Sequence, residues 1–259
     1  MSSEMKLSVI IPARNEALNL ESTLKSLSEK LNSENIEHEI LVVDDHSSDG
    51  TAETLRRLSL QIPHLRALKS PSPYGFGLAL RCGFEHFKGD AAAVFMGDGS
   101  DSPEDLIAFF RAMESTKVDC VFGSRFMVGG GTVGYPVFKL IINRLANSFI
   151  RLLFGIDYND TTNAFKLYQR RVLEGVKPYL SSHFNLTVEL PLKAIIRGYT
   201  WTVIPNQWRN RKEGLSKLKI KEMGSRYLFI VLYCLIEKWL SRGDYSQGPI
   251  QFRPKPFQN

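Results

Sequence analysis

Apolar runs alternate with helical patterns through the first half of the chain. The runs are continuous, as expected of strands buried on both faces, and the segments between them space their apolar residues along one side of a helix. This alternation predicts an α/β fold, in which a mostly parallel sheet carries helices on both faces. The predicted strands are residues 7–12, 38–43, 65–68, 91–96 and 118–122, and the predicted helices are residues 16–31, 50–59, 76–87 and 103–115.

The pattern changes after residue 123. Three consecutive glycines at 129–131 indicate a loop, and residues 137–154 predict a helix with a broad apolar side. Further on, the pattern predicts strands at 165–168 and 200–204 and helices at 186–197 and 219–240. We therefore divide the chain into a main domain (residues 1–218), a basic and apolar helical extension (219–242) and a tail (243–259) that we expect to be disordered.

Acidic residues follow three of the predicted strands. Glu16 comes after the first strand, Asp44 and Asp45 end the second, and Asp98 and Asp101 follow the fourth. An ionised carboxylate at a buried strand end is costly unless it meets a cap, a metal or a ligand. Parallel strands bring their carboxyl ends to one edge of the sheet, where open α/β sheets bind ligands. The pattern predicts a site for a nucleotide and for Mg²⁺ or Mn²⁺, since substrate phosphates can complete the oxygen ligands around a single aspartate.

Some of these acids also have simpler explanations. Asp49 is explained equally well as the cap of the helix that follows it, and Asp98 and Asp101 are of a residue type that often forms turns. Ser102 followed by Pro103 predicts the start of the next helix, which places Asp98 and Asp101 in the loop between strand and helix.

Basic residues are concentrated late in the chain. The formal net charge is +6, and residues 209–226 contain seven lysines and arginines against two glutamates. This segment predicts an anionic partner. Within it, Arg211, Ser216 and Lys217 combine cations with a hydroxyl, which suits phosphate oxygens, although an ordinary solvated basic loop is the alternative. Nucleic acid is not predicted, because no recognised nucleic-acid-binding module accompanies the charge.

Cysteine, histidine and glycine positions argue against several other classes. Cys82, Cys120 and Cys234 are too few and too scattered for a disulfide framework or a zinc site, which favours a reducing, cytoplasmic setting, and we expect no export leader. No two histidines have a metal-binding spacing, and no serine lies in a nucleophile elbow. Gly75 and Gly77 lack the third glycine of a dinucleotide-binding fingerprint and do not follow an apolar strand.

The ordered series of motifs resembles family 2 glycosyltransferases of the GT-A fold, and among them the dolichol- or polyprenyl-phosphate mannosyltransferase-like group. The resemblance implies a Rossmann-like GT-A sheet and an inverting enzyme that moves a hexose from a GDP- or UDP-linked donor. The implied acceptor is a polyprenyl or dolichyl phosphate, and the implied cofactor is Mg²⁺ or Mn²⁺. The matching segments are residues 9–16 and 42–51, the glycines at 75, 77 and 83, and residues 96–104, 123–125, 160–166 and 211–217.

The resemblance also implies roles for individual residues. Asp98 would hold the metal, with Ser100 and Asp101 as neighbouring ligands, and Asp160 and Glu189 would border the site. The residues expected to act on the reacting groups are Asp98, Arg125, Arg211 and Lys217. The residues expected to contact the nucleotide sugar are Pro12, Arg14, Glu16, Asp44, Asp45, Met96, Gly97, Asp98 and Ser216.

Two positions depart from the family pattern. Met96 stands where the family has the first Asp of its Asp-x-Asp motif and Ser100 where it has Gln, which leaves Asp98 as the sole standard ligand. Ala164 and Lys166 stand where Gly and Arg are commoner. The first departure keeps a non-catalytic sugar-nucleotide-binding protein open as an alternative. A transferase to a soluble acceptor and a nucleotidyltransferase are the other two.

An apolar run near the C-terminus bears on where such an enzyme would act. Residues 227–236 are uninterruptedly apolar or aromatic, whereas a helix that spans a bilayer needs about 20 apolar residues. The run predicts a helix that lies on a membrane surface or docks against a membrane partner subunit, the alternative being an ordinary buried helix. The predicted helix at 137–154 is a second interfacial candidate. We therefore expect a peripheral protein at the cytoplasmic face of a membrane.

Overall fold

The computed structural model describes residues 5–210, 220–241 and 244–245. The strands are β1 (Leu7–Ala13), β2 (His38–Asp44), β3 (Leu65–Lys69), β4 (Ala91–Val94), β5 (Cys120–Ser124), β6 (Gly131–Val133), β7 (Lys166–Gln169), β8 (Trp201–Pro205) and β9 (Gln207–Arg209). The helices are α1 (Ala17–Ser33), α2 (Thr51–Leu58), α3 (Phe76–His86), α4 (Pro103–Thr116), α5 (Val137–Phe154), α6 (Arg170–Gly175), α7 (Leu186–Ile196) and α8 (Ile220–Leu240).

The main sheet has seven strands in the order β3-β2-β1-β4-β7-β5-β8. β7 runs antiparallel to both of its neighbours, and the other paired strands are parallel. The predicted α/β fold with a mostly parallel sheet is therefore confirmed. Because β7 runs backwards, the residues that precede it lie at the edge where the parallel strands end.

Helices cover both faces of this sheet, as predicted. Side chains along β1 alternate between two cores: Val9 and Ile11 lie in the core that includes α1, α2 and α4, and Ile10 lies in the core that includes α3, α5, α7 and α8. This alternation is the period of two that a strand imposes. Residues that follow the strands are therefore held at the sheet edge between two packed layers.

The loop between β4 and α4 follows from local sequence. Ser102 is the N-cap of α4 and accepts a hydrogen bond from the Asp105 N–H, and Pro103 occupies the first turn, as predicted. β4 ends at Val94, before the predicted end at residue 96. The Met96 N–H instead donates to Oδ2 of Asp101 at 2.9 Å. The strand therefore gives way to a tight loop that carries Asp98.

Three short elements were not predicted. α6 follows β7 directly, and β6 and β9 pair with each other in a separate parallel ribbon. These elements are too short for hydrophobic periodicity to reveal them.

α8 packs against α7 with one of its faces. Ile230, Val231, Cys234 and Leu235 are buried in the same core as α7, as the buried-helix alternative expects. Another set of its apolar side chains is exposed. None of the described helices is both long and apolar enough to cross a membrane. Of the predicted tail, only residues 244–245 lie within the described residues.

Candidate active site

Several of the predicted site residues lie along the edge of the sheet where the parallel strands end. Arg14 follows β1, Asp45 follows β2, Asp98 follows β4 and Arg125 follows β5. Since β1 and β2 lie on one side of β4 and β5 lies on the other, the edge runs from Asp45 through Asp98 to Arg125. Ligands of open α/β sheets bind at such an edge.

At one end of this edge, aspartates organise the loops after β2 and β3. Asp45 is buried, and both of its carboxylate oxygens accept the Gly75 N–H at 3.0 Å. Oδ1 of Asp44 accepts the Ser47 N–H at 3.1 Å. Asp49 accepts the N–H groups of Thr51 and Ala17, the first residues of α2 and α1, but the N-cap of α2 is Gly50 and not Asp49 as predicted. Asp45 thus joins the end of β2 to the start of α3.

Tyr74 belongs to the same end of the site and was not predicted. The Arg14 guanidinium lies over its ring, with 3.8 Å between the guanidinium carbon and the ring centroid. The sequence carried one signal, an aromatic residue just before Gly75 in the loop that follows β3. Pro12, at the end of β1, is buried, whereas Arg14 and Glu16 are partly exposed.

The Asp98 loop occupies the middle of the edge. Oδ1 of Asp98 accepts the Ser100 N–H at 3.1 Å. The Ser100 carbonyl accepts the Arg209 N–H at 3.1 Å, which ties this loop to β9. Met96 and Asp98 are partly exposed and Gly97 is buried.

Asp101 has a different environment from Asp98. Its side chain is buried and accepts the Met96 N–H. Burial raises the pKa of Asp101 to about 7, although the Met96 hydrogen bond acts in the opposite direction. In this arrangement Asp101 shapes the loop that presents Asp98.

The donor set of this loop suits a hard divalent cation. The described residues contain no cluster of three or more histidine, cysteine, aspartate or glutamate side chains that could hold a metal. The loop instead offers the Asp98 carboxylate and oxygen atoms of Ser100. Mg²⁺ and Mn²⁺ prefer such oxygen ligands and commonly take the remainder from substrate phosphates and water. The residues therefore fit a cation that is shared with a phosphorylated substrate.

A buried ion pair occupies the other end of the edge. Asp160 accepts from Nε and Nη2 of Arg125 at 2.8 and 2.7 Å, and from the Arg125 backbone N–H at 2.9 Å. Asp160 is fully buried and the Arg125 side chain is 7% exposed. Burial acts to lower the pKa of Arg125, but the charge and hydrogen bonds of Asp160 outweigh it and raise that pKa above its usual value. The guanidinium therefore stays protonated, with its charge balanced by the Asp160 carboxylate.

The loop that carries Asp160 is fixed from two sides. Asn143 and Asn147 on α5 donate to the Thr162 hydroxyl at 2.7 and 3.0 Å. Lys166 is buried at the start of β7, and its Nζ donates to the carbonyls of Thr161, Asn163 and Thr187. Burial lowers the pKa of Lys166 to about 7.

Glu189, which the resemblance places at the border of the site, lies in α7. It is fully buried, and its two oxygens accept the N–H groups of Leu180 and Ser181 and the ammonium of Lys193. Three other predicted residues, Arg211, Ser216 and Lys217, lie outside the described residues. Their roles stay predictions.

Comparison with known proteins identifies the family. Residues 8–176 match the model of Glycosyl transferase family 2. A polyprenol monophosphomannose synthase of Mycolicibacterium smegmatis is 31% identical over 216 residues, which are 81% of this chain and 80% of that protein. A dolichol-phosphate mannosyltransferase of Pyrococcus furiosus is 30% identical over 220 residues, which are 84% of this chain and 60% of that longer protein.

Solved structures agree on the fold. A glucosyl-3-phosphoglycerate synthase of Mycobacterium tuberculosis, in complex with Mn²⁺ and UDP-glucose, aligns with a TM-score of 0.67 at 18% identity. The alignment covers 90% of this chain and 79% of that one. The predicted GT-A fold and the predicted family are both confirmed. The chain belongs to glycosyl transferase family 2, and it is a glycosyltransferase.

Proposed function

We propose that this enzyme transfers a hexose from a nucleotide sugar to a polyprenyl phosphate, with inversion at the anomeric carbon. The observation that carries the proposal is the order of groups along the sheet edge. Arg14, Tyr74 and Asp45 lie at one end, Asp98 lies in the middle, and the Arg125–Asp160 pair lies at the other end. The relatives named for polyprenol and dolichol phosphates support an acceptor of this class.

The arrangement suggests a division of labour among the chain's own residues. The loops at Arg14 and Asp45 would bind the nucleoside, and Asp98 would hold Mg²⁺ or Mn²⁺ at the diphosphate. A divalent cation bound there supplies charge neutralisation for the departing nucleoside diphosphate. Arg125 would hold the acceptor phosphate close to the anomeric carbon, which is catalysis by positioning.

The acceptor reduces the need for a strong general base. A phosphate monoester has a second pKa of about 6, so it is mostly ionised at neutral pH and can attack without losing a proton first. Two carboxylates along the edge are engaged in other roles: Asp45 accepts a backbone N–H and Asp160 is paired with Arg125. Both facts favour a phosphate acceptor over a neutral hydroxyl.

An exposed apolar face supports action at a membrane. α5 directs Asn143 and Asn147 inward to Thr162, and it leaves most of its apolar side chains in solvent. We name these exposed apolar side chains, together with the exposed apolar side chains of α8, the α5–α8 face. Its members are Val137, Phe138, Ile141, Ile142, Leu145, Phe149 and Leu152 on α5, and Leu228, Phe229, Leu232, Ile236, Trp239 and Leu240 on α8.

The charge around this face indicates an anionic lipid bilayer as its partner. α5 carries Lys139, Arg144 and Arg151 and no acidic residue. Between residues 224 and 240 of α8 the one acidic residue is Glu237, which is buried against Arg197. A symmetric dimer through this face would bring like charges together, whereas anionic headgroups would neutralise them. The comparisons do not support a membrane partner subunit. We therefore propose the lipid bilayer itself as the partner of this face.

The cysteines indicate which side of the membrane the protein occupies. The three cysteines are buried and unpaired. Unpaired thiols are typical of a reducing compartment. We therefore propose a peripheral position at the cytoplasmic face.

Vesicle binding tests the α5–α8 face. Leu152→Asp and Leu145→Asp replace side chains that are 85% and 66% exposed, so neither should harm folding. We expect each to weaken binding to vesicles that contain phosphatidylglycerol by about tenfold or more, because a buried leucine contributes about 1.5–3 kcal/mol. The matched control is Leu60→Asp, at a residue just after α2 that is 90% exposed and lies outside this face. Equal binding by all three variants would refute the proposed surface.

Turnover tests the function itself. The purified chain is assayed with GDP-mannose, UDP-glucose and related donors, with Mg²⁺ or Mn²⁺, with and without a polyprenyl phosphate, and released nucleoside diphosphate is measured. We expect release that requires the lipid phosphate. Release without lipid would indicate a soluble acceptor or hydrolysis, pyrophosphate release would indicate a nucleotidyltransferase, and nucleotide binding without any turnover would indicate a non-catalytic protein.

A further inference from the structure

A fully buried ion pair lies in α7. Glu189 and Lys193 are each 0% exposed, and Nζ of Lys193 donates to Oε1 of Glu189 at 2.7 Å. Burying two charges costs several kcal/mol per ion before any attraction is counted, and apolar replacements of such pairs are often as stable. The pair therefore calls for an explanation other than stability.

The pair holds a segment that has no regular structure of its own. Glu189 accepts the Leu180 N–H at 2.8 Å and the Ser181 N–H at 2.7 Å. Lys193 also donates to the Pro178 carbonyl at 2.5 Å. Buried N–H and carbonyl groups outside helices and sheets need such partners. Three residues of the segment 178–182, namely Pro178, Leu180 and Ser181, are thus held by side chains of α7.

The same segment caps the helix that begins at the donor end of the site. The Ser182 carbonyl accepts the N–H groups of Gly77 and Leu78 at 3.1 and 3.3 Å. Glycine is required for this approach, because a Cβ at Gly77 would lie 2.6 Å from the Ser181 oxygen and 2.7 Å from the Ser182 carbonyl carbon. The ring of Phe76 stacks on that of Phe184, with centroids 4.0 Å apart.

The start of α3 is therefore clamped between two acids. Asp45 holds the Gly75 N–H from β2, and Glu189 holds the opposite wall through Ser181 and Ser182. The loop that ends at this clamp carries Tyr74, on which Arg14 lies. A shift of the 180–182 segment would move Tyr74 relative to Asp45.

We infer that Glu189 is a positioning residue for the nucleoside half of the donor site. It acts through Ser181, Ser182 and the first turn of α3, and it does not touch substrate. The inference rests on the proposed function, since it takes the loops after β1, β2 and β3 as the nucleoside site. This positioning role differs from bordering the site, which is the role that the resemblance implied for Glu189.

Donor affinity tests this inference. In Glu189→Gln, the amide oxygen can accept one of the two N–H groups, while the amide nitrogen faces the other. Gly77→Ala disturbs the same contact from the α3 side. We expect both variants to weaken binding of GDP or UDP, whichever binds the native chain more tightly, by about tenfold, measured by calorimetry with Mn²⁺. The KM of the nucleotide sugar should rise by a similar factor, with a much smaller change in kcat.

Two matched controls separate positioning from general damage. Glu237→Gln disrupts the other buried ion pair of α7 and α8, formed with Arg197, and Gly224→Ala adds a methyl group where no atom lies within 4 Å. Glu237→Gln should lower Tm and leave nucleotide affinity unchanged. Gly224→Ala should raise Tm slightly, because alanine favours the interior of a helix, and should also leave nucleotide affinity unchanged. If Glu189→Gln lowers Tm as Glu237→Gln does but binds nucleotide like the native chain, the inference is overturned. If the native chain binds neither GDP nor UDP, the proposed function fails instead.

Discussion

Replacing Asp98 by Asn is expected to lower kcat/KM for hexose transfer by about 10³-fold. A divalent cation contributes several kcal/mol of charge stabilisation at a leaving phosphate, and each 1.4 kcal/mol or so is tenfold in rate. Asn keeps the size of the side chain and can still accept the Ser100 N–H, so the loop should hold its shape. The loss should therefore fall on the cation and not on folding. Initial rates across a Mn²⁺ titration, beside a thermal melt, measure both quantities.

A matched control for this substitution lies at the opposite end of the same strand. Asp90 precedes β4, is exposed, and accepts the Lys6 N–H at 2.8 Å. Asp90→Asn should keep native kcat/KM and native Mn²⁺ dependence. Near-native turnover by Asp98→Asn would show that Asp98 does not hold the metal. The absence of the first Asp of the family motif would then indicate that this enzyme has lost its use of a metal.

The sheet edge could be predicted from the sequence because its signals are local. Continuous apolar strands that are followed by Asp45, Asp98 and Arg125 leave little choice about direction, since parallel strands bring these ends together. The same reasoning could not predict that β7 runs antiparallel to its neighbours. It places Asp160 beside Arg125, and a pairing between residues 35 positions apart has no local signal.

The roles of individual acids were harder to predict than their places. Asp98 and Asp101 belong to one short loop and look alike in sequence, yet Asp101 is buried against the Met96 N–H. Glu189 shares its helix face with Lys193 four residues later, a spacing that commonly indicates an ion pair. That spacing does not reveal that both charges are buried. Burial depends on how α7 packs against the sheet and α8, which is a tertiary property.

The second large effect is expected at the buried pair of Arg125 and Asp160. Asp160→Asn removes the counter-charge but leaves the Arg125 guanidinium in a buried site. Removing one partner of a buried pair typically costs about 3–5 kcal/mol of unfolding free energy. We therefore expect a large fall in the denaturant midpoint, together with a loss of transferase activity.

A double variant separates stability from catalysis at this pair. Arg125→Met combined with Asp160→Asn removes both charges. The backbone N–H of residue 125 donates to Asp160 at 2.9 Å, and an asparagine at position 160 can still accept it. Since an uncharged replacement of a buried pair is often close to neutral, unfolding free energy should recover most of what Asp160→Asn loses. Activity should not recover, because the cation proposed to hold the acceptor phosphate is gone. Recovery of activity along with stability would make the pair purely structural and move the acceptor site elsewhere. If Arg125 holds the acceptor phosphate, the double variant must therefore remain inactive although it is folded and stable.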